Sequence, residues 1–316
     1  MHRRHFPIVP AALALVTLCP AYSFAGGRLA GTVPSGRSST AAGAKRILFV
    51  SNLIGSVRMY TADIHQSNPQ LLGSITTGLV RPEGVWIDRK GSLYVVNAEG
   101  GNNVPNVVEY KHGATTPSLT ITDGLFSPAT VAVGRDGTVY VNAVSQGTTG
   151  EVVEYAPGAT TPERTIALPS PQYDLEPGDL AFDKNGNLLA ATLGPIGNVV
   201  HVFKIAPGSS QAVDLGLQGA GGACIGVDGE GNLYAGGTNF FVAVYPPGSN
   251  APSRTFSLNL FSFFPYGLTV GRDGTVYVTG SSEVVEFAPG ASTPTNYIDT
   301  EYGETFTYDA TIGLQW

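Results

Sequence analysis

The sequence predicts an all-β fold, a six-bladed β-propeller of four-stranded antiparallel blades, and three observations carry that prediction. A blade-sized segment repeats five times along the chain. Each copy divides into two hairpins, and the two ends of the repeating region each supply the half blade that the other lacks.

The first hairpin shows most plainly in residues 82–97 (PEGVWIDRKGSLYVVN). Its register returns at 128–142 (PATVAVGRDGTVYVN), 177–190 (PGDLAFDKNGNLLA), 223–235 (ACIGVDGEGNLYA) and 265–278 (PYGLTVGRDGTVYV). The turn glycines Gly91, Gly137, Gly186, Gly231 and Gly274 fall 46, 49, 45 and 43 residues apart. They sit where a tight turn demands positive φ. The second hairpin reads VEYKHGATTP at 108–117, VEYAPGATTP at 153–162 and VEFAPGASTP at 285–294, with shorter versions at 203–208 and 244–248. One unit therefore predicts four strands, near 85–88, 93–97, 107–110 and 118–121. Alternating Val, Tyr and Phe between Gly and Pro punctuation suits them.

The ends set the blade count. Residues 46–52 (RILFVSN) match the second strand at 93–97, and 310–315 (ATIGLQ) match the first strand at 129–134. Five units plus one shared blade make six, and pairing the terminal strands seals the ring and removes its open edges.

The bulk composition agrees. Charged residues make up 13% of the chain and hydrophobic residues 42%, with 41 Gly and 22 Pro, as many short strands and turns require. The net charge of −7 and the scattered positions of Lys and Arg along the chain argue against a nucleic-acid partner or an anionic membrane surface. Residues 1–25 read as a signal peptide. His2-Arg3-Arg4-His5 is the basic start, 6–18 the apolar stretch and Ser23-Phe24-Ala25 the cleavage site. Residues 26–44 read as a flexible leader and 45–316 as the propeller. The expected location is outside the cytoplasm (periplasmic, cell-surface or extracellular), with no transmembrane segment and as a monomer. After cleavage only Cys224 remains, so no internal disulfide forms.

The pattern Pro-x-Gly-hydrophobic-x-hydrophobic-Asp-x-x-Gly-x-Leu-Tyr-Val resembles the NHL repeat over residues 45–316. The wider group of such six-bladed propellers includes sugar lactonases and streptogramin lyases. What the resemblance implies is the fold first, because the repeated residues are the structural ones. It also implies a ligand face where the inner strands begin.

The starts of the inner strands carry Glu83, Ala129, Gly178, Ala223, Tyr266 and Ala310. One residue on come Gly84, Thr130, Asp179, Cys224, Gly267 and Thr311, and Asn52, Asn97, Asn142 and Thr192 end the second strands. A binding site at this channel mouth would use Glu83, Trp86, Asn97, Asn142, Asp179 and Tyr266. Trp86 aligns with Ala132, Ala181, Gly226, Thr269 and Gly313, so one bulky residue meets five small ones and could fill the channel or stack on a sugar ring. Glu83, Asn97, Asn142 and Asp179 are hard oxygen donors, able together to hold Ca²⁺ or Mg²⁺, or Zn²⁺ in a lactonase-like hydrolase. Residues 83–86 (EGVW) are similar to the Glu-Gly-Pro-x-Trp stretch of sugar lactonases but lack its Pro. A lyase would need a histidine base, whereas His65 and His112 fall in third-to-fourth-strand turns and His201 lies within a third strand. Cys224 reads as a small buried residue. The expectation is thus an exported binding propeller without catalytic residues or cofactor, whose partner is a protein, glycan or small molecule. The alternative is the metal-dependent hydrolase.

Overall fold

A computed structural model describes residues 46–62, 69–100, 102, 104–145, 150–169, 176–193, 200–219, 224–236, 240–258, 266–280, 283–299 and 307–314. The predicted signal peptide and leader lie outside these residues, as does His65. Residues 43–316 form one compact unit.

Apart from a 3₁₀ residue at Asn102, the described chain is built of strands, turns and their connections. The strands β1 (Arg46–Asn52), β2 (Ser56–Thr61) and β3 (Leu71–Ile75) come first. Blade 1 follows with β4 (Pro82–Ile87), β5 (Leu93–Asn97), β6 (Asn106–Tyr110) and β7 (Leu119–Ile121). Blade 2 is β8 (Ser127–Val133), β9 (Val139–Val144), β10 (Gly150–Tyr155) and β11 (Arg164–Ala167). Blade 3 is β12 (Glu176–Phe182), β13 (Leu188–Leu193), β14 (Val200–Ile205) and β15 (Ala212–Asp214). Blade 4 is β16 (Cys224–Val227), β17 (Leu233–Gly236), β18 (Phe241–Tyr245) and β19 (Arg254–Ser257). Blade 5 is β20 (Gly267–Val270), β21 (Val276–Thr279), β22 (Glu283–Phe287) and β23 (Asn296–Asp299). The last strand, β24 (Thr307–Leu314), completes blade 6 in the order β24-β1-β2-β3.

The ring closes as expected. β24 runs antiparallel to β1, with Leu48 opposite Ile312 and Val50 opposite Ala310. Ser51 Oγ ties the joint, accepting from the Asp309 N–H at 2.9 Å and donating to the Asp309 carbonyl at 3.2 Å. Each inner strand then packs on the next, in the circle β24, β4, β8, β12, β16, β20 and back to β24.

Alternation of side chains puts one face of each blade against the preceding blade and the other against the following one. Six apolar clusters result, one between each pair of neighbouring blades. The cluster joining blades 6 and 1 contains Ile47, Phe49 and Ile75 together with Val85, Leu93 and Tyr110. Hydroxyls add clamps around the rim of the disc. Tyr110 donates to the Thr77 carbonyl, Tyr155 to Asp123 (both 2.6 Å) and Tyr245 to Gln218 (2.9 Å), each reaching the connection that leads into its own blade. The five hairpin glycines all adopt φ between +82° and +95°.

One feature of the register was not anticipated. In blades 1, 2, 3 and 6 the inner strand bulges at the same place, between Pro82 and Val85, Pro128 and Thr130, Pro177 and Leu180, and Thr307 and Ala310. The shared bulge fixes the alignment of the last strand. Ala310 stands where Val131 does, not at Ala129 as the sequence match suggested, a slip of two residues. A slip of two keeps each side chain on its face, so the hydrophobic pattern alone could not detect it. Asp309 therefore occupies the Thr130 position in place of Thr311, and Thr311 the Trp86 position in place of Gly313.

Candidate functional site: the central channel

The inner strands enclose a cavity of about 1160 Å³ that runs from the bulges to the first-to-second-strand turns. At the bulged end lies a ring of equivalent positions, Gly84, Thr130, Asp179, Cys224, Gly267 and Asp309, each directly before the residue (Val85, Val131, Leu180, Ile225, Leu268 or Ala310) that pairs with the matching position of the second strand. Blades 3 and 6 are diametrically opposed in a six-fold ring, so Asp179 and Asp309 are the two acidic members on opposite sides. Both are buried, and both line the cavity.

A carboxylate in such a place needs donors. Asp309 Oδ2 accepts the Val85 N–H of blade 1 at 2.9 Å, and its Oδ1 accepts the Ala310 N–H at 2.7 Å. Asp179 Oδ2 accepts the Ile225 N–H of blade 4 at 3.1 Å, and the Leu268 N–H of blade 5 also favours its charge. In blade 2, Thr130 has the same role with reversed polarity, donating its Oγ1 proton to the Gly178 carbonyl at 2.7 Å. These residues fasten neighbouring blades through the backbone the bulge exposes. Burial pushes both carboxyls up despite the donors, and the Asp309 charge raises Asp179 further. Burial, with the charges of Asp179 and Asp309, also pushes up the Cys224 thiol, which favours the unreactive protonated form.

The six residues expected to bind ligand divide. Trp86 and Asp179 line the cavity; Glu83, Asn97, Asn142 and Tyr266 do not. Asn97 ends β5 inside blade 1, where its Nδ2 donates to Gly78 O (2.8 Å) and Asn106 Oδ1 (3.1 Å) and its Oδ1 accepts the Val80 N–H. Asn142 donates across the blade boundary to the carbonyls of Gly178 and Ala191, both at 2.9 Å. Tyr266 is half-buried and donates its N–H to Thr279 O. Glu83 is buried in an acidic and basic cluster of its own, 3.4 Å from Arg81, which also pairs with Glu99 at 2.7 Å. Burial raises the Glu83 carboxyl from 4.5 to about 7, Arg81 lowering it and Glu99 raising it.

The partner of Asp179 is therefore Asp309, a residue hidden from the sequence reading by the two-residue slip. No three His, Cys, Asp or Glu side chains among the described residues converge as metal ligands. Of the histidines, His112 lies in the blade 1 turn and His201 in β14. His201 Nδ1 lies 2.6 Å from Asp214 Oδ2, and its ring stacks on Phe203 at 5.9 Å, on the outer strands of blade 3.

Towards the turns the cavity changes character. One wall, from blades 1 to 3, is aromatic: Trp86 meets Phe182 edge-on at 5.9 Å and Tyr140 meets Phe182 likewise at 5.8 Å. At the Trp86 level, blades 4 to 6 offer only Gly226, Thr269 and Thr311.

No protein-family model and no curated protein matches the chain. Solved structures do match in fold. A "putative 6-phosphogluconolactonase" from Bacteroides fragilis superposes with a TM-score of 0.57 at 15% identity, covering 84% of this chain and 85% of its own. A protein of unknown function from Bacteroides caccae gives 0.62 at 11% identity over 85% and 98%. A functionally unknown protein from Desulfotomaculum acetoxidans gives 0.52 at 17% over 83% and 80%. At these identities the likeness is one of fold. No helix among the described residues is long and apolar enough to cross a membrane.

Proposed function

We propose that this chain is an exported, NHL-like propeller without catalytic chemistry of its own, a binding module that takes its ligand in the central channel. The observation that carries this reading is the cavity itself. Its volume of about 1160 Å³ is lined by aromatic, aliphatic and charged side chains together, as ligand sites commonly are. The face carrying the second-to-third-strand and between-blade connections adds exposed Ile54, Val80, Val104 and Phe126, which suit contact with a protein partner.

A panel of neutral glycans, cationic and anionic small molecules tests the reading by thermal shift and calorimetry, with Thr269→Trp as the control. Thr269 is half-exposed and lines the cavity, so the indole fills space without displacing core. Ligands of the channel stabilise the native protein and lose that effect in the variant. Absence of any Thr269→Trp-sensitive ligand overturns the proposal.

One observation favours the second reading, a divalent-metal, lactonase-like hydrolase: the opposed carboxylates of Asp179 and Asp309. Glu83, Asn97 and Asn142 do not accompany them into the cavity, so the donor set of that reading does not fit as originally composed. Titration with Ca²⁺, Mg²⁺ or Zn²⁺ decides. A midpoint shift abolished by Asp179→Asn and Asp309→Asn supports the hydrolase over the simple binding module.

A further inference from the structure

We propose that the turn-side half of the channel binds a ring-bearing anion, an aromatic ring or sugar that carries a phosphate or carboxylate. This deepens the binding-module reading and rests on it.

Arg89, Arg135, Lys184 and Arg272 each follow the inner strand by one turn residue, in blades 1, 2, 3 and 5. Scattered in sequence, they are stacked by the blade-length repeat around one mouth. All four are exposed and line the cavity. Twelve Lys and Arg occur between residues 46 and 316, and six of them line this cavity together with six aspartates, Asp88, Asp136, Asp179, Asp183, Asp228 and Asp309.

Two of the six have acidic partners, Arg46 with Asp273 at 2.5 Å and Arg164 with Glu154 at 2.7 Å. Among the described residues Arg89, Arg135, Lys184 and Arg272 form no ion pair. Of the aspartates in the first-to-second-strand turns, Asp273 pairs with Arg46 and the others hold turn backbone, Asp136 Oδ1 accepting the Thr138 N–H. Asp88 Oδ1 accepts the N–H groups of Lys90 and Ser92, Asp183 Oδ1 those of Asn185 and Asn187, and Asp228 Oδ1 those of Glu230 and Asn232. The cations are left for a guest.

A second, independent observation says what kind of guest. Blades 1 to 3, which supply three of the four cations, also supply the half-buried rings of Trp86, Tyr140 and Phe182. Trp86 lies three residues before Arg89, and Phe182 two before Lys184. Beside them stand Gly226, Thr269 and Thr311, small enough to leave room for a ring against the aromatic wall. A ring stacks on the wall while its anionic group meets guanidinium and ammonium donors, the stronger class of hydrogen bond. Inorganic phosphate can use only the charges, and a neutral ring only the wall.

The test is calorimetry on the full chain at low ionic strength, where exposed charges act most strongly. The probes are phenyl phosphate, glucose 6-phosphate, benzoate, inorganic phosphate and the neutral phenyl β-glucoside. At least one ring-bearing anion should bind about tenfold or more tightly than inorganic phosphate and phenyl β-glucoside. Arg89→Gln and Lys184→Gln, both exposed and unpaired, should each weaken it about tenfold and leave the melting temperature unchanged. Trp86→Leu should bring the ring-bearing anions down to the level of inorganic phosphate, and the more conservative Trp86→Phe should retain most of their advantage. Equal affinity for inorganic phosphate and the ring-bearing anions overturns the proposal, as does indifference to the two Gln substitutions. Should a neutral or cationic ligand bind instead and be displaced in Thr269→Trp, the channel reading stands and the anion falls; if no class binds, both fall.

Discussion

At the bulged end of the channel, Asp179 and Asp309 reach across blade boundaries to backbone N–H groups, and their charges are committed to the frame. At the turn end, Arg89, Arg135, Lys184 and Arg272 stand at equally equivalent repeat positions, yet none is paired with an acidic side chain among the described residues. The same repeat thus builds two kinds of charged ring. One fastens neighbouring blades at an electrostatic cost, because the carboxylates are buried. The other adds little to stability and is free to act on something else.

The largest effect should come from breaking the frame at its seam. Removing residues 309–316 deletes most of β24, exposes the edge of β1 and uncovers Leu48 and Val50, both now buried. The expected loss is on the order of 5 kcal/mol or more, seen in urea denaturation as a much earlier midpoint or as failure to fold. A truncated chain that melts with the intact one would dismiss the seam.

The next effect is electrostatic. Glu83, Asp179 and Asp309 all hold their protons more tightly folded than unfolded. The folded state therefore binds more protons above the ordinary carboxylate range, and stability is full at the acid side and falls as pH rises. For Glu83, moving from 4.5 to about 7 corresponds to on the order of 3 kcal/mol at neutral pH and above. Glu109 and Asp273, held low by Lys111 and Arg46 among other partners, contribute oppositely and lose their stabilisation only in stronger acid. Calorimetry should find the melting temperature several degrees higher at pH 5 than at pH 8, with the gap narrowed by Asp309→Asn. A flat or rising profile over that range contradicts this account.

A smaller, steric effect probes the same end. Gly84 shares the ring position of the two aspartates, and a methyl added there would lie 2.5 Å from Thr130 Cα and 2.6 Å from the Ala129 carbonyl. Both are backbone atoms with little room to yield, so Gly84→Ala should cost about 2 kcal/mol in chemical denaturation. The smallest effect belongs to the turn end. Arg272→Gln should change stability by less than about 0.5 kcal/mol, while Arg164→Gln, which breaks a half-buried pair with Glu154, should cost about 1 kcal/mol. If Arg272 proved as costly as Arg164, the contrast between the rings would disappear.

The blades were legible because Gly at positive φ and alternating Val, Tyr and Phe are local signals that five copies reinforce. The closing strand was legible as a strand but not in register, since 307–314 has no hairpin turn to anchor its alignment and a slip of two preserves every face. That slip concealed Asp309. Trp86 and Asp179 were found as cavity residues because size and charge stand out at an inner strand. Asn97 and Asn142 lie outside the cavity lining and donate to backbone carbonyls; an asparagine that does so looks the same in sequence as one that offers itself to a ligand. The gathering of Arg89, Arg135, Lys184 and Arg272 at one mouth was not legible, because these residues converge only when the repeat is wound into a circle.

Because blade 6 combines β24 with β1, β2 and β3, a ribosome must make all of residues 76–306 after β3 before that blade can exist. Until then β1 waits with an unfilled flank, able to recruit any strand that passes, including one from a second nascent chain. Correct maturation is consequently a race between the arrival of the tail and promiscuous pairing, and holding back that early flank is a task for whatever escorts the unfinished molecule.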